Sequence, residues 1–193
     1  MSAPSADIRV IRRDDHKLVP WRNGGGVTRE IALAPDERGA LGYAWRLSQA
    51  TVSEPGAFSE FPHSDRTLLV LSGEGLELTV AGVPTVLALH EALAFPGDVP
   101  TQGRPMAGPV EDLNIICDRR LTRHEMRLLR AGDAAPAADA TYLAVALVDG
   151  TVVAASGRAY DLAMLDTVQS AGAALSVTAG IVALIEIIRE ELV

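Results

Sequence analysis

The chain has 193 residues, 48% apolar and 22% charged, which gives enough material for one large core or two small ones and excludes a disordered or collagen-like chain. Its formal net charge is −8, and its single cysteine, Cys117, excludes an internal disulfide or a thiolate-rich metal cluster. Residues 1–130 carry 15 basic and 17 acidic side chains and residues 131–193 carry 2 and 8, so neither part has the basic excess that a nucleic-acid partner requires.

Period-2 alternation broken by turn residues predicts strands nearly throughout. In chain order they fall at 27–34, 43–52, 67–71, 76–80, 84–89, 91–95, 110–117 and 122–129. Residues 131–140 are small, polar and aperiodic and read as a connector. A second set follows at 141–148, 151–155, 160–165, 174–178 and 181–189. The last segment is rich in β-branched residues and reads as strand, with a terminal helix as the alternative. The reading is therefore all-β, with a full unit over 1–130 and a shorter one over 131–193. The Ala- and Val-rich segment 142–153 suits either core packing or the interface of a homodimer. No basic-then-apolar leader opens the sequence, and the most apolar tract, 173–185, is shorter than the ~20 residues a spanning helix needs. Neither export nor a membrane partner is expected.

Strand parity places unusual chemistry on single faces. Thr28 and Glu30 alternate with Val27 and Ile31, Arg46 and Ser48 with Trp45 and Leu47, and Asp112 and Asn114 with Leu113 and Ile115. These polar faces are either solvated or turned inward around a ligand. Trp21-Arg22-Asn23-Gly24-Gly25-Gly26 joins an aromatic, a cation and an amide to three glycines that permit close backbone approach, but it lacks the Lys-Ser/Thr of a phosphate loop. From residue 56 a polar loop runs past Phe61 and through Asp65-Arg66 into a buried strand. The four histidines, His16, His63, His90 and His124, include no His-x-His or His-x-x-x-His pair, so the sequence predicts no metal site. Cys117, between Ile116 and Asp118, reads as a small apolar filler, and no Gly-x-Ser-x-Gly elbow is present.

Five blocks together resemble the HutD/Ves family. They are Trp21-Arg22-Asn23-Gly24-Gly25-Gly26-Val27-Thr28-Arg29-Glu30-Ile31, Trp45-Arg46-Leu47-Ser48-Gln49-Ala50, Gly56-x-Phe58-Ser59-x-Phe61-Pro62 with Asp65-Arg66, Phe95-x-Gly97-Asp98, and Asp112-Leu113-Asn114. The resemblance covers residues 21–114; beyond residue 140 only the strand rhythm matches. It implies a bicupin, two stacked antiparallel β-barrels in one chain, in a bacterial cytoplasmic protein linked to histidine utilisation. The implied role is a non-catalytic regulator or sensor of a small carboxylate such as formiminoglutamate or formate. A metal-independent isomerase or hydrolase, with Glu30 or Asp112 as general base, is the alternative. Cupins commonly hold a metal through three histidines and a glutamate. Here His63-Ser64-Asp65 stands in place of His-x-His, Arg66 near the glutamate and Thr101 at the third histidine, which predicts a first barrel without metal or other cofactor. His63 occupies a position where the family resemblance implies glycine. The expected ligand-binding set is Trp21, Arg22, Asn23, Gly25, Thr28, Glu30, Arg46, Ser48, Phe61, Asp65, Arg66, Asp112 and Asn114. In it Arg46 and Arg66 supply charge-assisted donors, and Trp21 and Phe61 form walls.

Overall fold

The structure is a computed structural model and describes residues 8–20 and 27–190. Its strands run in chain order as β1 (Ile8–Ile11), β2 (Lys17–Pro20), β3 (Val27–Pro35), β4 (Tyr43–Val52), β5 (Gly56–Ala57), β6 (Ser64–Ser72), β7 (Leu76–Val80), β8 (Val83–Leu87), β9 (Ala92–Pro96), β10 (Thr101–Pro105) and β11 (Val110–Asp118). They continue as β12 (Thr122–Arg130), β13 (Ala134–Ala135), β14 (Thr141–Ala146), β15 (Gly150–Ala154), β16 (Ala159–Leu162), β17 (Thr167–Ala171), β18 (Leu175–Ala179) and β19 (Ile181–Arg189). The fold is all-β, and the strand pairs are antiparallel.

The chain divides into two compact units, residues 1–16 with 124–189 and residues 17–123 with 190–193. This differs from the division expected at residue 130. β1 pairs with β17, Ile8 opposite Ser170 and Ile11 opposite Thr167, so the start of the chain belongs with its last third. Arg12 reinforces this with an ion pair to the nearly buried Asp166 at 2.7 Å, and Asp166 also accepts the Arg13 and Ala163 backbone N–H groups. The sheets of this unit run β1-β17-β14-β19-β12 and β13-β18-β15-β16. Tyr142, Ala144, Ala146, Val152, Val168, Val177 and Leu184 form its core. The apolar 142–153 segment, considered above as a dimer face, is largely consumed in that core. The Tyr142 hydroxyl donates to the Pro136 carbonyl at 2.9 Å.

In the 17–123 unit a six-stranded sheet, β2-β3-β4-β11-β6-β9, accompanies a four-stranded sheet, β5-β10-β7-β8. Val52, Leu68, Val70, Leu76, Leu78, Leu87, Phe95 and Val110 pack as its apolar core. Four of these share strand and parity with polar residues: Val52 with Arg46 and Ser48, Leu68 and Val70 with Arg66, and Val110 with Asp112 and Asn114. The polar faces therefore turn inward at one end of the same interior. The opposite faces are buried as well, with Leu47, Leu113 and Ile115 at 0% exposure. Both faces of these central strands are covered, which is why alternation in the sequence left their orientation open.

Most predicted strands are present with shifted ends. β6 starts at Ser64, so Asp65 and Arg66 lie on a strand and not in a loop. The segment 181–189 is strand, and the expected connector contains the short β13. Strands β1, β2, β5, β10, β13 and β17 escaped the sequence reading. Two of them have only two residues, β1 and β2 are short edge strands with charged side chains, and β10 (Thr-Gln-Gly-Arg-Pro) has no apolar alternation.

Candidate functional site

The inward polar side chains line a cavity of about 450 Å³ together with the 57–61 segment. Pairing register aligns them in rows. Arg46 lies opposite Ile116 and Ile116 opposite Arg66, Ser48 opposite Asn114, and Ala50 between Thr28 and Asp112. One-residue irregularities fall at Glu30/Ala32 on β3 and Glu111/Asp112 on β11, beside the polar end of the barrel, where bulges commonly re-aim side chains.

Arg66 is the centre of this arrangement. It is 3% exposed, and its guanidinium carbon lies 5.5, 5.1 and 5.0 Å from the ring centroids of Phe58, Phe61 and Phe95, the three phenylalanines of the chain. Its Nη1 donates to the Ser59 carbonyl at 3.3 Å, while its Nε has no hydrogen-bond partner among the described residues. Burial lowers its pKa to about 10, an effect that the charge of Asp112 opposes. Such an arginine holds a charged donor out of water with only part of its hydrogen-bonding capacity used, a costly state unless a ligand completes it.

The site is shaped by two glycines. A Cβ on Gly97 would come within 2.1 Å of Ser64 Oγ and 3.1 Å of the Arg66 side chain, so this position lets Arg66 pass into the cavity. A Cβ on Gly103 would lie 2.5 Å from the Phe58 ring. Its absence lets Phe58 lie against β10, to which the Phe58 N–H is tied through the Thr101 carbonyl at 2.9 Å.

On β11, the strand beside Arg66's own β6, Asp112 is 2% exposed, and its Oδ1 has no hydrogen-bond partner among the described residues; the same holds for Asn114 Oδ1. Burial pushes the Asp112 carboxyl up to about 7, partly opposed by Arg66. Arg46 is engaged differently: its Nε donates to Glu30 Oε2 at 3.1 Å, both side chains being about one-fifth exposed. The Tyr43 phenol is raised in pKa by burial, an effect that the nearby Arg46 opposes.

Of the residues expected from sequence, Thr28, Arg46, Ser48, Phe61, Arg66, Asp112 and Asn114 line the cavity. Glu30 reaches it through Arg46. Asp65 does not belong with them: it neighbours Arg66 in sequence but is half-exposed and pairs with Arg119 at 3.0 Å. Arg119 also bonds Asp98 and the Ser64 carbonyl, so the charged residues of two motif blocks fasten the β6 and β11 ends of the barrel. Trp21, Arg22, Asn23 and Gly25 lie outside the described residues. Phe58 and Ser59 were missed as site residues, although Gly56-x-Phe58-Ser59 stood in a motif block and was the available signal. His63 has φ 58°, a left-handed backbone that glycine adopts without strain, which accounts for the glycine implied there.

The donor set does not fit the metal common in cupins. Among the described residues that line the cavity none is a histidine, two are arginines, Arg46 and Arg66, and one, Asp112, carries a carboxylate. Cys117, 0% exposed, has its thiol pushed up to about 12 by burial and is chemically quiet.

A buried, partly unbonded cation thus lines a small, partly apolar cavity in a cupin-like β fold. A HutD family profile matches residues 13–183, and the chain belongs to the HutD family. HutD from Pseudomonas fluorescens SBW25, in a structure described as a formate condition, superposes with a TM-score of 0.84 at 29% identity, covering 96% of this chain and 100% of that one. A conserved protein of unknown function from Pseudomonas aeruginosa PAO1 matches at TM-score 0.82 and 31% identity over the same shares. In sequence, an uncharacterised 21.2 kDa protein in the hutC 3' region of Pseudomonas putida is 38% identical over 112 residues, and protein Ves of Cronobacter sakazakii is 32% identical over 119. The alignments span 58% and 64% of those two relatives and 58% and 59% of this chain. A cupin barrel protein from Leptotrichia buccalis shares the fold alone, at 10% identity and TM-score 0.59. No helix among the described residues is long and apolar enough to cross a membrane.

Proposed function

We propose that the chain is a non-catalytic binding protein, a regulator or sensor linked to histidine utilisation, whose barrel holds a small carboxylate without metal. The buried Arg66, with Nε unbonded toward the cavity, carries this reading. A carboxylate would satisfy that donor, with Arg46, Ser48 and Thr28 as further donors around the cavity and the three phenylalanine rings excluding water. The formate condition of the Pseudomonas fluorescens HutD structure and the hutC neighbourhood of the Pseudomonas putida relative support the ligand class and the pathway. A cytoplasmic location and a homodimer belong to the same proposal.

The test is thermal stabilisation by formate, acetate, urocanate and formiminoglutamate, with and without chelator. At least one compound should raise the melting temperature, equally with chelator present, and Arg66→Met should abolish the response in a folded protein. A full response in Arg66→Met would overturn the assignment. Asp112 supports a second reading, because a buried carboxylate titrating near neutrality is suited to general-base work. Turnover of formiminoglutamate or urocanate by the purified protein, lost in Asp112→Asn, would favour that enzyme.

A further inference from the structure

We propose that the pocket takes up its anion together with one proton, which Asp112 accepts. This rests on the reading of the cavity as a small-carboxylate site and states how that site is regulated.

Arg66 and Asp112 are both nearly buried, line the same cavity and leave unbonded atoms within it. They form no ion pair with each other within 4.0 Å; among the described residues, the acid–base pairs of this unit are made by other side chains. Before binding, ionised Asp112 balances the charge of Arg66 within the same cavity. A carboxylate arriving at Arg66 adds a second anion around the same guanidinium. Two carboxylates sharing a low-dielectric site cannot both stay ionised at low cost, so one takes a proton. Asp112 is the candidate, since no hydrogen bond from the described residues holds its charged form. The proton comes from solvent and ends on the Asp112 carboxyl, which then becomes a hydroxyl donor facing the ligand or Asn114 Oδ1. The bound state thus contains one cation, one anionic ligand and one neutral acid.

The surrounding groups leave this role to Asp112. From β6 comes Arg66; from β4 come Arg46 and Tyr43, the latter raised in pKa by burial; from β3 comes Glu30, already paired with Arg46. The 57–61 segment lines the cavity with Ala57, Phe58, Ser59 and Phe61, none of which titrates in this range. The second sheet presents Leu76 and Leu78 to the interior, while Glu77 and Arg104 pair with each other near its surface. The Asp112 carboxyl already titrates near 7 before an anion binds, so a second anion moves it further the same way.

Formate is a suitable probe because it stays ionised above pH 5.5. Its apparent Kd, followed by thermal stabilisation between pH 5.5 and 8.5, should be flat below about 7 and then rise, reaching about tenfold weaker at pH 8 than at pH 6. In an unbuffered solution at pH 7.5, saturating formate should draw roughly three quarters of a proton per chain from solvent, a reading on the native protein that needs no variant. Asp112→Asn should remove both effects. Formate binding that is independent of pH and moves no proton would overturn the proton coupling and leave the carboxylate reading standing. No stabilisation by formate or by the longer carboxylates at any pH would overturn both.

Discussion

Two aspartates in the same unit titrate in opposite directions, for reasons visible in their partners. Asp118 receives the Arg120 side chain at 2.7 Å and the backbone N–H groups of Ala40 and Arg120 at 2.8 and 3.1 Å, which hold it at about 2. Its contribution to stability is present above the ordinary carboxylate value near 4 and is lost as pH falls toward 2. Asp112, raised to about 7, binds a proton in the native state across a pH range where the unfolded chain has released it, so its contribution declines as pH rises from about 4 to 7. Asp112→Asn removes that decline. In urea unfolding the variant should gain on the parent by about 1–3 kcal/mol between pH 5 and pH 8, and a constant difference over that range would refute the burial argument. Arg66 teaches the same lesson about cations: its neighbours are rings and a carbonyl, and its deficit in hydrogen bonds is what the proposed carboxylate would relieve.

At the level of strands and turns, the barrel is held open for Arg66 by what is missing from Gly97. Gly97→Ala should cost about 1–3 kcal/mol of stability from overpacking and weaken the formate response, because the new methyl meets Ser64 Oγ and the Arg66 stem. Denaturation and thermal shift on the one variant check both effects, and unchanged values in either would count against this packing. Much of the element plan was legible in the sequence, since the long strands β3, β4, β11 and β19 all carry strong apolar content. The inward turn of Arg46, Ser48 and Asn114 was readable only as parity, because burial of both faces removes the contrast that normally tells inside from outside. Asp65 was misplaced because a motif block mixes residues that line the pocket with residues that clamp its frame. Separating the two needs the partner, Arg119, which lies 54 positions away.

For the molecule as a whole, the division into two units with separate cores matters more than the count of strands. The 17–123 unit contains every cavity residue, whereas the other depends on a splice between the two ends of the sequence. Asp166 is the fastener of that splice, accepting from Arg12, Arg13 and Ala163. Asp166→Ala leaves two backbone N–H groups without their acceptor and should lower stability by about 2–3 kcal/mol. Amide hydrogen exchange should then accelerate in β1 and β17 first; acceleration confined to β3 or β11 would contradict this assignment.

The pairing of β1 with β17 also sets a timetable for the newborn chain. Ser170, opposite Ile8, is made 162 residues after it, roughly 10–30 s later at ordinary translation speeds. Throughout that wait the opening strand has an unsatisfied edge, while the stretch that builds the pocket has already been delivered as one nearly continuous length. The cavity thus has a route to form while β17 is still unmade, and β1 waits on a partner that comes long after it.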